Sequence, residues 1–473
     1  MTAIEKTAIE KTATENTALH MNPYAKQTDY HPNNYFRRDN DALRPAPDRV
    51  KNNPAWYPMR KFLLNGLRPL GKYTPPTMVG DYPDRVNDLY WQGDELMDNV
   101  VASMRDMKGG EGRKMFTKAM KEGIDSIDNP PEAFVALFEQ LDRVPDWVDW
   151  DEIDAGGAYF SNLPFWAIGI GAFLPTLYTT HGYATSIPVG ATGRFVRQKE
   201  NRMVEGIHFI TSIAEPDGLR RYSYGFECAV HIRLMHAFVR AQMYKKNGEY
   251  FDYSTDGDPM SQPDTLVGIP VFGISNLLFL RAMGGDVSEK QMRSVDMMWR
   301  YVVYLMGGHE NAIPQNLEES LYLLDHYIAT QGKPSVFSDE LNKAFFVGVK
   351  ETIQERAPAW QKPLVEFIFA DVVGSFTWHM VGDELAEEVK YLKKPNAVTK
   401  HLPKLLRGWA KVNSMRGKYR PNERWSHRFH HEGAFINGYK KFMLIRDDET
   451  NVDFKSHDNT KASDLGKKSA FSS

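Results

Sequence analysis

From about residue 80 onward, apolar residues recur at spacings of three and four. That is the period of helices with one face turned to a core. "MDNVVASMRDM" and "FTKAMKEGI" show it, and "SEKQMRSVDMMWRYVVYLMG" (288–307) adds a clear helix start. "GRFVRQKENRMVEGIHFITSIA" (193–214), "SYGFECAVHIRLMHAFVRAQMYKK" (223–246), "NLEESLYLLDHYIAT" and "PLVEFIFADVVGSFTWHMVGDELAEEV" follow the same rule. "SQPDTLVGIPVFGISNLLFLRAM" opens on a capping Ser261, with Pro263 and Asp264 in its first turn, and continues apolar. "DNPPEAFVALFEQL" places Asn129 as a start signal before two prolines. Strand-like alternation bounded by turns is rare. The expected fold is all-α, a single large helical domain.

Boundaries follow from composition. Residues 1–55 are polar and end in "RPAPDRVKNNPAW"; they read as a disordered or extended arm. The arm begins with "AIEKTAIEKTATENTA", a five-residue repeat that fits no heptad and reads as a disordered tail. Residues 56–445 form the expected catalytic domain, and 446–473 a polar tail. The chain of 473 residues carries a net charge of −3 and no long basic block, which gives no case for nucleic acid. Its one cysteine, Cys228, excludes an intramolecular disulfide and any four-cysteine zinc or iron–sulfur site within one chain. No apolar leader opens the chain. The most apolar stretch, "FWAIGIGAFLPTLY" (165–178), is shorter than a membrane span and contains Pro175, so a buried or interfacial segment is expected. These features predict a cytoplasmic protein without a stable membrane span, its oligomeric state open.

Three constellations carry chemistry. In "HIRLMHAFVR" (231–240), helical geometry of about 100° per residue puts Arg233, His236 and Arg240 on one stripe, with His231 on another face. Neutral imidazole ligates haem iron, and guanidinium pairs with carboxylates such as haem propionates. The plainer reading is a half-buried histidine with two surface arginines. In "ENRMVEGIH", Arg202 and Glu205 share a face, and Glu205 with His208 forms a single Glu-x-x-His, half of a di-iron pattern that occurs twice in ferritin-like proteins. In "HRFHHE", His427, His430 and His431 have a spacing that suits a metal, or simply a solvated surface. "GATGRF" lacks the lysine of a phosphate loop, and no Gly-x-Ser-x-Gly elbow is present.

"TGRF…NRMVEGIHF…HIRLMHAFVRAQM" resembles the haem-dependent oxygenases of the latex clearing protein (rubber oxygenase) and mycophenolic acid oxygenase type. The best match is "IRLMHAFVR", where that family reads Val-Arg-x-x-His-Ala-x-Val-Arg. The likeness continues through "GDPMSQPDTLVGIPVFGISNLLFLRAMGGDVSEKQMRSVDMMWRYVVYLMG", including a Pro-x-x-Gln stretch, and covers roughly residues 150 to 395. It implies a globin-like core around haem b, with His236 as proximal iron ligand. It also aligns Arg240 with the family's arginine one turn later, and Arg202 with the arginine of the distal-side helix. Arg233 and Arg240 are expected beside the cofactor.

The sequence departs from rubber-cleaving members at one point. They continue from the distal arginine to a Lys-Thr pair, where this chain has Glu205-Gly206, with Arg197 and Lys199 on the preceding turns. Glu205 is expected either as a general base that takes an allylic proton or as a salt-bridge partner of Arg202. The expected activity is haem b-dependent oxygenation, with O2 as co-substrate, of an apolar small molecule of terpenoid, lipid or polyketide kind. The reaction is expected at an alkene or an activated C–H bond. The alternatives are a non-haem oxidase built on Glu205 and His208, and a non-catalytic haem- or lipid-binding helical protein.

Overall fold

The computed structural model describes residues 43–65, 82–163, 176–177, 180–193, 199–246 and 248–419. The pentad repeat, the histidines at 427, 430 and 431, most of 165–178, Arg197 and the polar tail lie outside the described residues. Among the described residues there is no strand. The helices of eight or more residues are α1 (Tyr57–Asn65), α2 (Tyr82–Leu89), α3 (Glu95–Asp106), α4 (Glu111–Glu122), α5 (Glu132–Asp142), α6 (Trp150–Ser161), α7 (Tyr183–Ala191) and α8 (Lys199–Ile213). They continue with α9 (Tyr224–Lys245), α10 (Ser275–Ala282), α11 (Glu289–Leu305), α12 (Leu317–Ala329), α13 (Ser338–Phe346), α14 (Gly348–Arg356), α15 (Gly374–Val389) and α16 (Leu402–Tyr419). One hydrophobic core runs through most of them.

Local sequence explains most helix starts. Ser288 and Gln291 form the reciprocal capping box of α11. Ser261 does the same with Asp264, at the short helix Gln262–Leu266. Ser223 caps α9, with Glu227 in its first turn and Lys245 in its last, the charge order the helix dipole favours. Asn129 is not a cap: it takes a left-handed φ of 51°, and Pro131 stands at the N-cap of α5. The two long apolar runs do not stay regular. The first breaks into Gln262–Leu266, a π-helical turn at Ile269–Ile274, and α10. The second passes through a π-helical turn at Phe367–Val373 into α15, which kinks at Gly382 (φ 82°, ψ 173°). Both runs have a length and hydropathy that would cross a membrane, but the first is 83% buried within the protein over its most apolar window.

The last part of the expected arm is packed, not loose. Residues 43–53 run without helix along the body, turning at Asp48 and Arg49, and Arg49 is buried there. Its guanidinium donates to both carboxylate oxygens of Asp264 (3.1 and 2.8 Å), to Ser261 Oγ (3.0 Å) and to the carbonyl of Asp256 (2.6 Å), and it lies over the Tyr90 ring. Within the expected arm, the Pro- and Asn-rich composition gives a chain without long helices, and the buried Arg49 anchors its last part.

The closest helix pair is α6 against α11. A Cβ at Gly156 would lie 2.2 Å from the carbonyl oxygen of Ser294, so only glycine admits this approach. Gly156→Ala is expected to destabilise the fold by about 1–3 kcal/mol through overpacking. The urea midpoint measures this, and an unchanged midpoint would refute the contact.

Candidate functional site

α9 is the spine of the site. It packs against α8, α3 and α11. Its buried face carries Val230, Arg233, Ala237, Arg240 and Ala241. The two arginines are only 2% exposed, which removes the reading of surface arginines. Each is clamped by a carboxylate of the segment that opens α3. Arg233 donates to Asp94 through Nε (2.6 Å) and NH2 (2.8 Å), and to Gln140 Oε1 through NH1 (2.7 Å). Arg240 donates to Asp98 through Nε (2.9 Å) and NH2 (2.7 Å), and to the carbonyl of Met260 (3.0 Å). Both are fork-shaped, charge-assisted pairs in a dry interior. Burial raises the cost of the Asp94 charge, but the Arg233 guanidinium outweighs this and holds its carboxyl below the usual range.

Arg233 and Arg240, expected beside the cofactor, are held here by protein carboxylates. Their donors are directed at protein carboxylates, so they are positioning residues that fix the rotation of α9. Glycines make room for them. A Cβ at Gly93 would meet Arg240 Nε at 2.8 Å, and one at Gly307 (φ 96°) would meet Asp94 Oδ2 at 2.3 Å. Gln262 completes the frame. Its side chain donates to the carbonyls of Gly93 (2.7 Å) and Gly307 (3.0 Å) and accepts from His309 N (2.9 Å). It is the glutamine of the Pro-x-x-Gln stretch.

The face of α9 that adjoins the arginine stripe is less enclosed. Ile232, Met235, His236 and Val239 are all half-buried. They recur at i, i+3, i+4 and i+7, one stripe. The imidazole of His236 therefore lies at the border of an apolar, half-open face, on a helix locked from behind by two ion pairs. His231 is elsewhere: its Nδ1 lies 2.8 Å from the carbonyl oxygen of Glu227, and its ring meets Phe116 edge-on. Cys228 is buried, and that burial pushes its thiol up to about 11, which makes it unreactive.

α8 supplies the other wall. Glu205, His208 and Phe209 are half-buried on one side of it. Phe209 meets Trp299 of α11 edge-on, with centroids 6.3 Å apart, while Phe272 of the π-helical turn stacks on the same indole at 5.8 Å. Gly273 permits that approach, since a Cβ there would lie 2.5 Å from Trp299 Cδ1. The Trp299 indole N–H is buried and has no hydrogen-bond acceptor among the described residues. Arg202 is on α8, its side chain outside the described set. Among the described residues, no group of three or more His, Cys, Asp or Glu is placed to hold a metal, so Glu205 and His208 gather no further ligands there.

Behind Arg240 lies a feature the sequence reading did not single out. Asp258 accepts a short hydrogen bond from Tyr244 OH, and its other oxygen is buried without a partner among the described residues. Burial pushes its carboxyl up to about 8, against the opposing pull of Arg240 and the Tyr244 hydroxyl. The acid therefore stays neutral at pH 7, and Arg240 keeps Asp98 as its counter-ion. No signal in "STDGDPMSQ" separates this buried aspartate from its solvated neighbours. Asp94 and Asp98 left more of a trace, as acids four apart at the head of α3.

With this geometry in place, comparison with known proteins identifies the class as a helical oxygenase. The sequence profile of the ER-bound oxygenase mpaB/B'/rubber oxygenase catalytic domain matches residues 162–412. The chain belongs to that family and is an oxidoreductase of the oxygenase type. The matched span takes in α8, α9, α11 and Gln262, but the carboxylates that clamp α9 lie before it. Among solved structures, latex clearing protein in the closed state is similar, with a TM-score of 0.48 and 16% identity over 80% of this chain and 96% of that one. Curated protein sequences give no significant match.

The Asp258 carboxyl makes stability depend on pH. An ordinary aspartate releases its proton near pH 4, whereas the folded chain holds this one to about 8. Between these values the folded state binds the extra proton. This contribution is full below about pH 4, declines as pH rises, and is lost by about pH 8. Asp258→Asn should flatten that decline. Urea midpoints measured across this range test it, and an identical decline in the variant would remove the assignment.

Proposed function

We propose that the chain is a haem b-dependent oxygenase of an apolar small molecule, with His236 as the residue that would hold the iron. The observation that carries this reading is the setting of His236. One imidazole stands at the edge of a half-open apolar face, on a helix whose rotation is fixed by Arg233–Asp94 and Arg240–Asp98. A residue that would hold haem iron needs that combination of imidazole, low dielectric and fixed orientation. The residues present fit the group: Ile232, Met235 and Val239 offer an apolar flank to a macrocycle, and the ring's carboxylates are left to residues other than the two clamped arginines. Haem b, when bound, would supply the redox chemistry that activates O2.

The remaining work falls to side chains of the chain itself. The half-buried apolar residues of α9 and Phe209 exclude water and hold the substrate by its hydrocarbon surface. α8 and α9 form a hairpin in which the Cys228 thiol meets Ser212. Seven residues back from Ser212 is Glu205, and eight on from Cys228 is His236, about 10 and 12 Å from that contact at 1.5 Å per residue. The carboxylate thus belongs to the same level of the hairpin as the imidazole. There it takes the proton lost from an allylic carbon as the C–H bond breaks, the role of a general base. Glu205 in place of the Lys-Thr of rubber-cleaving relatives supports a small unsaturated substrate over a polymer. The second reading, a non-haem centre on Glu205 and His208, gains no third ligand among the described residues.

The visible spectrum of the purified protein tests the cofactor. A Soret band is expected in the wild type and should be lost, or strongly shifted, in His236→Ala with the far-UV circular dichroism unchanged. A His236→Ala protein with a normal haem spectrum ends the ligand assignment, and bound iron without a Soret band in the wild type supports the second reading.

Glu205→Gln should lower kcat by about 10²–10⁴-fold, the usual contribution of general-base catalysis. Haem content and substrate affinity should stay close to wild type. Unchanged turnover would exclude the base role.

A further inference from the structure

α16 (Leu402–Tyr419) contains no acidic residue, and it carries five basic ones: Lys404, Arg407, Lys411, Arg416 and Lys418. Its inner side holds it to the protein. Pro403 and Ala410 are buried, Leu406 is half-buried, and the Gly284 turn lies under the backbone at Arg407 and Lys411. Its outer side is apolar: Leu405 is 66% exposed, Val412 58%, Met415 47% and Trp409 43%. At about 100° per residue these four fall within a sector about 120° wide, which only Arg416, in the last turn of the helix, interrupts. Lys404, Lys411 and Arg407 are exposed and follow directly on one border of that sector.

We infer that α16 docks the protein on an anionic lipid surface. Leu405, Trp409, Val412 and Met415 enter the acyl boundary, and Lys404, Arg407 and Lys411 meet the phosphate headgroups. The charge pattern selects this occupant. The core of a protein–protein interface is depleted of lysine, and an apolar patch between two copies would bring these cations together with no acid on the helix to offset them. A lipid headgroup layer is the anionic partner that an apolar sector edged by lysine and arginine fits, with the long basic stems lying along the apolar surface. The helix lies in the plane of the interface and does not cross it, since its opposite side is packed on the protein.

Flotation of the full-length protein with vesicles tests the inference. The protein should float with phosphatidylcholine vesicles containing phosphatidylserine, stay behind with phosphatidylcholine alone, and be released by high salt. Leu405→Glu/Val412→Glu should cut the bound fraction more than about tenfold, and Lys404→Glu/Lys411→Glu by roughly fivefold for each charge removed. All four positions are exposed, so both variants should keep the wild-type thermal midpoint. Absence of flotation with phosphatidylserine vesicles overturns the proposal, as would flotation that neither variant weakens. Overturning it equally, Leu405→Glu/Val412→Glu could turn a dimer into a monomer in sedimentation while vesicle binding persists. Lipid binding is read without reference to haem or turnover, so it fails or holds independently of the proposed activity.

Discussion

Two ion pairs set the geometry on which the rest of the site depends. Arg233–Asp94 and Arg240–Asp98 join α9 to the start of α3 across almost 140 residues of sequence, in an interior where neither partner reaches water. Buried pairs of this kind add little net stability, because removing both charges from water offsets most of their attraction. Their contribution here is orientational. An unpaired guanidinium in this interior is far less stable than a paired one, so α9 has one acceptable rotation and translation. That rotation leaves His236 and its apolar neighbours on the open side. The third pair, Arg49–Asp264, does the same for the extended segment before α1.

Tight backbone approaches make these pairs possible. Gly93 and Gly307 leave room for the guanidinium of Arg240 and the carboxylate of Asp94, and Gln262 ties the segments on which both glycines sit. Asp258 belongs to the same arrangement. Held neutral by burial, it does not compete with Asp98 for Arg240. Three arginines then pair with three aspartates, and the fourth carboxyl is hydrogen-bonded to Tyr244. The chemistry expected on the open face is therefore insulated from a charged layer behind it.

Much of the fold was legible in the sequence because helices announce themselves locally. The start of α11 follows from Ser288 and Gln291, the start of α9 from Ser223, and that of Gln262–Leu266 from Ser261 before Pro263 and Asp264. Asn129 misled because a left-handed residue and a cap have the same preference for asparagine. The π-helical turns at Ile269–Ile274 and Phe367–Val373 have no local signature at all, since one extra residue per turn is tolerated where packing favours it. In the site, the stripe of Arg233, His236 and Arg240 was visible as a period. What it faced was not, because a guanidinium reads the same toward solvent, a propionate or a buried aspartate.

By itself, the sequence determined an all-α chain, the family likeness, and the helix on which His236 is carried, since each rests on local periodicity or on a short motif. The tertiary structure alone decided which carboxylates meet the two arginines, which side of α9 stays open, that Asp258 is held neutral, and that the apolar and basic sectors of α16 share an exposed surface. The reason is the same in every case. Burial and charge partnership are properties of segments far apart in the chain, and no residue carries them until the helices have packed.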